Sequence, residues 1–200
     1  MLMSADFPVV IVGIGPVGDR LMRELVRCAP QIPILTYDYE PWNPYDRTNL
    51  VAVLTGELSW ADLENLVPIP EDSDVTLRRT MIVAIDRAKR TVTDLYGRQQ
   101  PYSTLVLATG SEVHVPDIPG THLAGVSVFR HKCDVAELLT KQGEDRRIAV
   151  LGGGILGVEL ACGLRSKGAE VCVVQPERLM SRQLDDKASA MVLEGLRARD

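Results

Sequence analysis

"VVIVGIGPVGDR" (residues 9–20) runs from an aliphatic stretch through three glycines into a helix-like pattern, and "AVLGGGILGVELA" (149–161) repeats that order. The apolar residues 7–12 are rich in β-branched side chains and stop at Gly13, as a strand buried in a parallel sheet would. A helix over 16–28 should follow, with Val17, Leu21, Leu25 and Cys28 inward and Asp19, Arg20, Arg23 and Arg27 toward water. Ala29 and Pro30 end it, and "IPILTYDYE" (32–40) supplies a second strand whose polar mouth is Asp38 to Glu40. Together these pieces form one β-α-β unit.

Residues 41–70 are irregular, with four prolines around a short helix expected at 60–66. Strands are expected over 75–86, 89–95 and 102–109, the first two joined by a turn at 87–89 and the last ending at "LATGS". After the break at "VPDIPG" (115–120), Asp134 and Glu137 make a capping pair for a helix that stops near Gly143. From Arg147 the strand-glycine-helix-strand order returns: "IAVLGGG", a helix over 155–167, and "EVCVV". A last amphipathic helix turns Ala188, Met191, Val192 and Leu196 toward a core and runs into Asp200, where the unit lacks further strands.

Of the 200 residues 46% are hydrophobic and 24% charged, which fits an α/β globular protein, and the net charge of −5 leaves no basic field for nucleic acid or an anionic membrane. The N-terminus has no cationic flank and its apolar run is too short to span a bilayer, so a cytoplasmic location is expected. Cys28, Cys133, Cys162 and Cys172 show neither C-x-x-C nor metal-type spacing. They read as reduced core residues, with a redox pair assembled from distant positions as the alternative. His114, His122 and His131 have no ligand spacing, so no metal site is expected. Trp42, Tyr45, Trp60, Tyr96 and Tyr102 are scattered, which argues against a base-stacking platform.

Gly13-x-Gly15-x-x-Gly18 has the spacing of a dinucleotide fingerprint. The first glycine makes the tight turn, the second lets backbone approach a pyrophosphate, and the third allows close helix-strand packing. Pro16 opens the helix, whose unpaired N–H groups favour an anion. Glu40 follows the second strand about 20 residues on, where a carboxylate accepts hydrogen bonds from ribose hydroxyls. Gly152-x-Gly154-x-x-Gly157, with Ile155 and Leu156 inside it and Glu159 two residues on, is a second fingerprint. Two fingerprints imply two dinucleotides, or one bound and one passing through.

"LVLATGSEVHVPDIPG" (105–120) resembles the ATG motif of the flavoproteins with two dinucleotide-binding domains, in which an NAD(P)H domain interrupts an FAD domain. The similarity continues through "YEPWNPYDRTNLVAVLTGE" (39–57), "VAIDRAKRTV" (83–92) and "LMSRQLD" (179–185), covering nearly the whole chain. The strings "EP..PYDR..L" and "SRQLD" are most similar to the N-terminal part of assimilatory NAD(P)H nitrite reductase large subunits, and ferredoxin and rubredoxin reductases share the first more loosely.

The resemblance implies a Rossmann-like FAD domain with a β-meander insertion (1–120), a crossover (121–143) and the start of a second, NAD(P)-binding Rossmann-like domain (144–200). It places Gly13, Gly15 and Gly18 on the FAD pyrophosphate, Glu40 on its ribose, and Arg47 at the phosphates or flavin edge. Ile82 would lie near adenine, and Ala108, Thr109 and Gly110 would line the nucleotide from the far side. It also implies hydride transfer from NADH or NADPH to FAD, with electrons passing on to a redox centre or acceptor protein, and it leaves room for a homo-oligomer. Glu159 is the candidate side chain beside the nicotinamide. Gln175 stands where an acid would select NAD, and Arg178 and Arg182 are close enough in sequence to hold a 2′-phosphate, so the coenzyme stays open.

Two departures bear on the chemistry. Ala52 replaces the lysine that many ferredoxin reductases carry near the flavin, and the absence of cysteine at 50–54 disfavours disulfide or peroxide chemistry. The stretch 57–82 is also shorter and richer in proline than the family pattern. The returning flavin segment is missing, so a cut chain that binds a dinucleotide without turnover is the competing expectation.

Overall fold

The computed structural model describes residues 7–64, 69–70, 72–140 and 147–198. Packing divides them into two compact units. One holds the described residues up to Arg47 together with Ala61–Thr121, and the other holds Thr48–Trp60 with the described residues from His122 onward.

The first unit is built on a four-stranded parallel sheet in the order β3-β2-β1-β7, from β1 (Val9–Val12), β2 (Ile34–Asp38), β3 (Val75–Arg79) and β7 (Thr104–Leu107). Val10 pairs with Leu35 on one side and Leu105 on the other. Alternation along the strands creates two cores. On one face Ile11 and Ile34 pack with Met22 and Val26 of helix α1 (Pro16–Cys28). On the other, Val10, Leu35 and Tyr37 pack with Val92 and Tyr102. Val92 comes from an antiparallel meander of β4 (Ile82–Asp86), β5 (Thr91–Asp94) and β6 (Gln99–Pro101). The α/β class, with its parallel sheet and inserted meander, is the one read from the sequence.

The details differ in three places. Expected strand 75–86 is two strands: β3 joins the parallel sheet and β4 the meander, with a corner at Thr80, whose N–H donates to the Arg78 carbonyl at 3.0 Å. Apolar alternation continues across that corner, so periodicity cannot reveal it. Helix α1 is turned part-way from its expected face: Leu21 and Leu25 pack against the core as expected, but Val17 is 74% exposed and Cys28 is exposed, while Met22 and Val26 are buried. Gly18 sets this rotation. It lies against the Gly13 carbonyl, and residues 22 and 26, at successive i+4 steps, follow it inward. Asp19 is carried inside too, where Arg23 meets both its oxygens at 2.7 and 2.9 Å. Strand β6, polar and three residues long, is the third difference.

In the second unit, β8 (Arg147–Leu151) and β9 (Glu170–Val174) pair in parallel, linked by α5 (Ile155–Ser166). Helices α2 (Leu50–Thr55) and α4 (Lys132–Thr140) accompany them. A Cβ at Gly163 of α5 would come within 2.8 Å of Val51, so the glycine admits α2. Asp134 lies in the third position of α4 rather than at its cap, and its carboxylate reaches back to the N–H groups of Arg130 and His131, each at 2.7 Å. The expected stop near Gly143 lies outside the described residues. Short helix α3 (Trp60–Glu64) occurs where one was expected, and residues 65 and 66 also lie outside.

Helix α6 (Asp186–Arg197) buries Ser189 and half-buries Ala188, Val192 and Leu196, but Met191 is 65% exposed, against expectation. The core reading of the cysteines is also corrected. All four are free: Cys133 and Cys172 are exposed because α4 and β9 each leave a face uncovered, Cys28 is exposed at the end of α1, and Cys162 of α5 is half-buried. No helix among the described residues is long and apolar enough to cross a membrane.

Candidate functional site

The first glycine turn sits at the carboxyl ends of β1 and β2, where ligands bind in open parallel sheets. Gly13 has φ +93°, and its N–H donates to the Tyr37 carbonyl at 2.7 Å. A Cβ there would strike the Ala108 carbonyl, and one at Gly18 would strike the Gly13 carbonyl. Ala108 in turn donates its N–H to the Val12 carbonyl at 2.8 Å, so the start of "ATG" extends β7 past the turn, while Thr109 and Gly110 beyond it are exposed. Gly15 caps α1 without a side-chain hydrogen bond, and Pro16 is the first helical residue. The bare α-carbon of Gly15 faces Arg47: an added Cβ would lie 3.6 Å from its Nη2.

Glu40 closes the arrangement. It is 7% exposed, its Oε1 accepts from Arg47 Nη2 at 2.7 Å and its Oε2 from the Tyr45 hydroxyl at 2.9 Å. Arg79, at the end of β3, donates to the Glu40 carbonyl at 2.9 Å. Burial works against the Arg47 charge, but the Glu40 carboxylate more than restores it and holds the guanidinium pKa above its ordinary value. Nearby Asp38 is pushed up, chiefly by burial, although its Oδ1 accepts from the Glu40 N–H at 3.2 Å. The result is a carboxylate and a cation fixed side by side at a turn whose helix end attracts anions. Ile82, expected near adenine, is half-buried at the start of β4 and packs against the core of the Tyr37 face.

The second turn has the same backbone design. Gly152 has φ +115°, and a Cβ at Gly157 would strike the Gly152 carbonyl. Gly154 is open, with nothing within 4 Å of an added Cβ. Ile155, Leu156 and Glu159 are exposed on the first turns of α5. Gln175 does not stand free: its Oε1 accepts from the Gly153 N–H at 2.6 Å. The Gly153 carbonyl accepts from Met180 N–H at 2.7 Å, and Leu179 lies 2.6 Å from where a Cβ on Gly153 would be. Arg178 is engaged by Asp186 at 2.7 Å and by the Leu184 carbonyl at 2.8 Å, while Arg182 is exposed. Among the described residues, no group of three or more His, Cys, Asp or Glu side chains could hold a metal ion.

The family model described as pyridine nucleotide-disulphide oxidoreductase matches residues 7–200. The chain belongs to that family. As a member of the pyridine nucleotide-disulphide oxidoreductases it is 35% identical over 193 residues to the large subunit of a NAD(P)H nitrite reductase from Klebsiella oxytoca, covering 92% of this chain and 20% of that protein. It is 32% identical to the assimilatory nitrate reductase electron transfer subunit of Bacillus subtilis (strain 168), covering 92% of this chain and 24% of the relative. A solved ferredoxin reductase from Rhodopseudomonas palustris superposes with a TM-score of 0.83 at 28% identity, covering 94% of this chain and 47% of that one. The chain thus spans about a fifth to a half of the length of these relatives.

Two residues at this oxidoreductase's first turn, Arg79 and Tyr45, and one at the β3–β4 corner, Thr80, escape sequence reading. Arg79 is hidden in a strand, and its partner is a carbonyl 39 residues away. Thr80 is buried, and its hydroxyl has no hydrogen-bond partner among the described residues. Tyr45 looks like one of several scattered aromatics; its position five residues past Glu40 and two before Arg47 is the signal that could have singled it out.

Proposed function

We propose that the chain is the dinucleotide-binding part of an FAD-dependent NAD(P)H oxidoreductase that passes electrons from NADH or NADPH through FAD to a redox partner, in nitrite or nitrate assimilation. The observation that carries this reading is the Glu40–Arg47 pair beside the bare α-carbon of Gly15. A dinucleotide presents ribose hydroxyls that donate and phosphates that are anionic, and these two side chains answer both within one cluster. The cradle fits: side chains are excluded at Gly13 and Gly18 by neighbouring carbonyls, and Gly15 leaves the approach to the helix N-terminus open.

Bound flavin supplies hydride acceptance and onward electron transfer. Gly13, Gly15, Pro16 and Gly18 would hold its pyrophosphate, Glu40 its ribose, Arg47 its phosphate charge, Ile82 its adenine through backbone groups, and Ala108, Thr109 and Gly110 its far side. At the second turn Gly152, Gly154, Ile155, Leu156 and Gly157 would meet the nicotinamide coenzyme, and Glu159 would stand beside the nicotinamide. Gln175, Arg178 and Arg182 would read the adenosine ribose, with Gln175 also holding the Gly153 N–H and Arg178 also meeting Asp186. The nitrogen-assimilation role is supported by the likeness to the nitrite and nitrate reductase proteins.

Replacing Gly15 by valine tests the first site. The added Cβ has ordinary contact distance to Arg47, so the β-carbon itself is accommodated, and thermal unfolding checks that the fold survives while pyrophosphate approach is blocked. Gly15→Val protein should purify without flavin and bind added FAD at least about tenfold more weakly. A variant carrying one yellow flavin per chain would refute the assignment.

A further inference from the structure

We infer that Tyr45 is the positioning residue of the adenosine pole, its hydroxyl holding the Glu40 carboxylate and its ring supporting the Arg47 guanidinium, so that ribose and phosphate are met by one pre-set unit. The inference rests on the FAD reading of the first turn and adds a residue to it.

A glutamate carboxylate turns about a broad, roughly two-fold terminal torsion, so an unrestrained Glu40 would present its oxygens in many directions. Here the plane is fixed from both ends, by Tyr45 Oη on Oε2 at 2.9 Å and Arg47 Nη2 on Oε1 at 2.7 Å. Each carboxylate oxygen accepts more than one hydrogen bond, so the restraint leaves acceptor capacity for ribose hydroxyls. Tyr45 is itself 4% exposed, and a hydrogen bond to a buried charged acceptor is stronger than one in water. Its ring centroid lies 5.4 Å from Arg47 Cζ, within cation–π range.

The scaffold behind this trio is also fixed. The Asp46 N–H, between Tyr45 and Arg47, donates to the Leu63 carbonyl at 3.1 Å, and Arg79 holds the Glu40 carbonyl. Tyr45 can do this without altering the charge at the site, because a phenol donates a proton bond and stays neutral. Removing its oxygen therefore keeps both charged partners of the Glu40–Arg47 pair and takes away the hydroxyl's hold on Oε2.

The test compares FAD with the flavin dinucleotide whose adenosine lacks the 2′-hydroxyl, each titrated into the apoprotein by flavin fluorescence, with thermal unfolding as the control for folding. The unmodified protein should prefer FAD. Tyr45→Phe should bind FAD about tenfold more weakly and lose most of its preference over the deoxy compound. A variant that keeps the original ratio of the two affinities, whether or not both weaken, would overturn the inference, as would an unmodified protein that binds both equally. Failure of the unmodified protein to bind FAD would instead reject the proposed function. If Tyr45→Phe does not fold, 3-fluorotyrosine at position 45 keeps the shape and makes a stronger donor, and an unchanged affinity ratio there also overturns the inference.

Discussion

Gly13, Gly15 and Gly18 share one motif but answer to different constraints. Gly13 and Gly18 are required by the protein itself, since each lies against a carbonyl that a side chain would strike, whereas Gly15 has room for a Cβ. The same division recurs at the second turn, where Gly157 is crowded by the Gly152 carbonyl and Gly154 is open. Stability and ligand affinity should therefore separate between neighbouring glycines. Gly18→Ala and Gly157→Ala should each lose about 2 kcal/mol or more of folding stability, as forced overpacking does. Gly154→Ala, at φ −76° with nothing near its Cβ, should stay within about 0.5 kcal/mol of the parent or gain slightly. Denaturant titration of the three variants checks the contrast, and equal losses at Gly154 and Gly157 would contradict it.

Helix α4 shows how an element can be started by a residue inside it. The Asp134 carboxylate satisfies two N–H groups ahead of the helix, from Arg130 and His131, which α-helical bonding leaves without partners. Asp134→Ala should cost about 1 kcal/mol, and Asp134→Asn, which keeps an acceptor oxygen, clearly less; urea midpoints that do not move would show the cap to be idle. The sequence made a capping role for Asp134 visible but misplaced it by three positions, because acidic residues suit both the cap and the first turn. The β-α-β units, the two glycine turns and Glu40 were legible for a related reason: each is a local pattern of aliphatic run, glycine spacing and polar strand end. What was not legible depends on distant partners. The inward face of α1 follows from Gly18 meeting Gly13, the corner at Thr80 from β3 and β4 joining different sheets, and the use of Gln175 from the N–H of Gly153. Arg178 likewise has partners, Asp186 and the Leu184 carbonyl, that its place in the sequence does not announce.

Across the whole molecule, the two compact units repeat one idea with different equipment. The first joins its turn to a buried carboxylate and an arginine, and the second joins its turn to an amide and a loop. FAD should consequently protect the first unit: at a hundredfold excess over its dissociation constant, linkage adds about 2.7 kcal/mol to any opening that releases it. Hydrogen exchange should slow in β1, β2 and β7 and stay unchanged in β8 and β9, and equal slowing in both sets would contradict the assignment of FAD to the first turn. In the second unit, Gly153 has its N–H taken by Gln175, its carbonyl by Met180, and its bare face by Leu179. If the second turn holds the nicotinamide coenzyme as proposed, that triple attachment makes coenzyme preference hard to transplant. A 176–184 segment grafted from a relative brings its own spacing between the amide position and the Met180 position, and any mismatch pulls on the second glycine turn itself. On the proposed reading of the second turn, exchanging one coenzyme for the other would therefore be a problem of backbone length before one of charge.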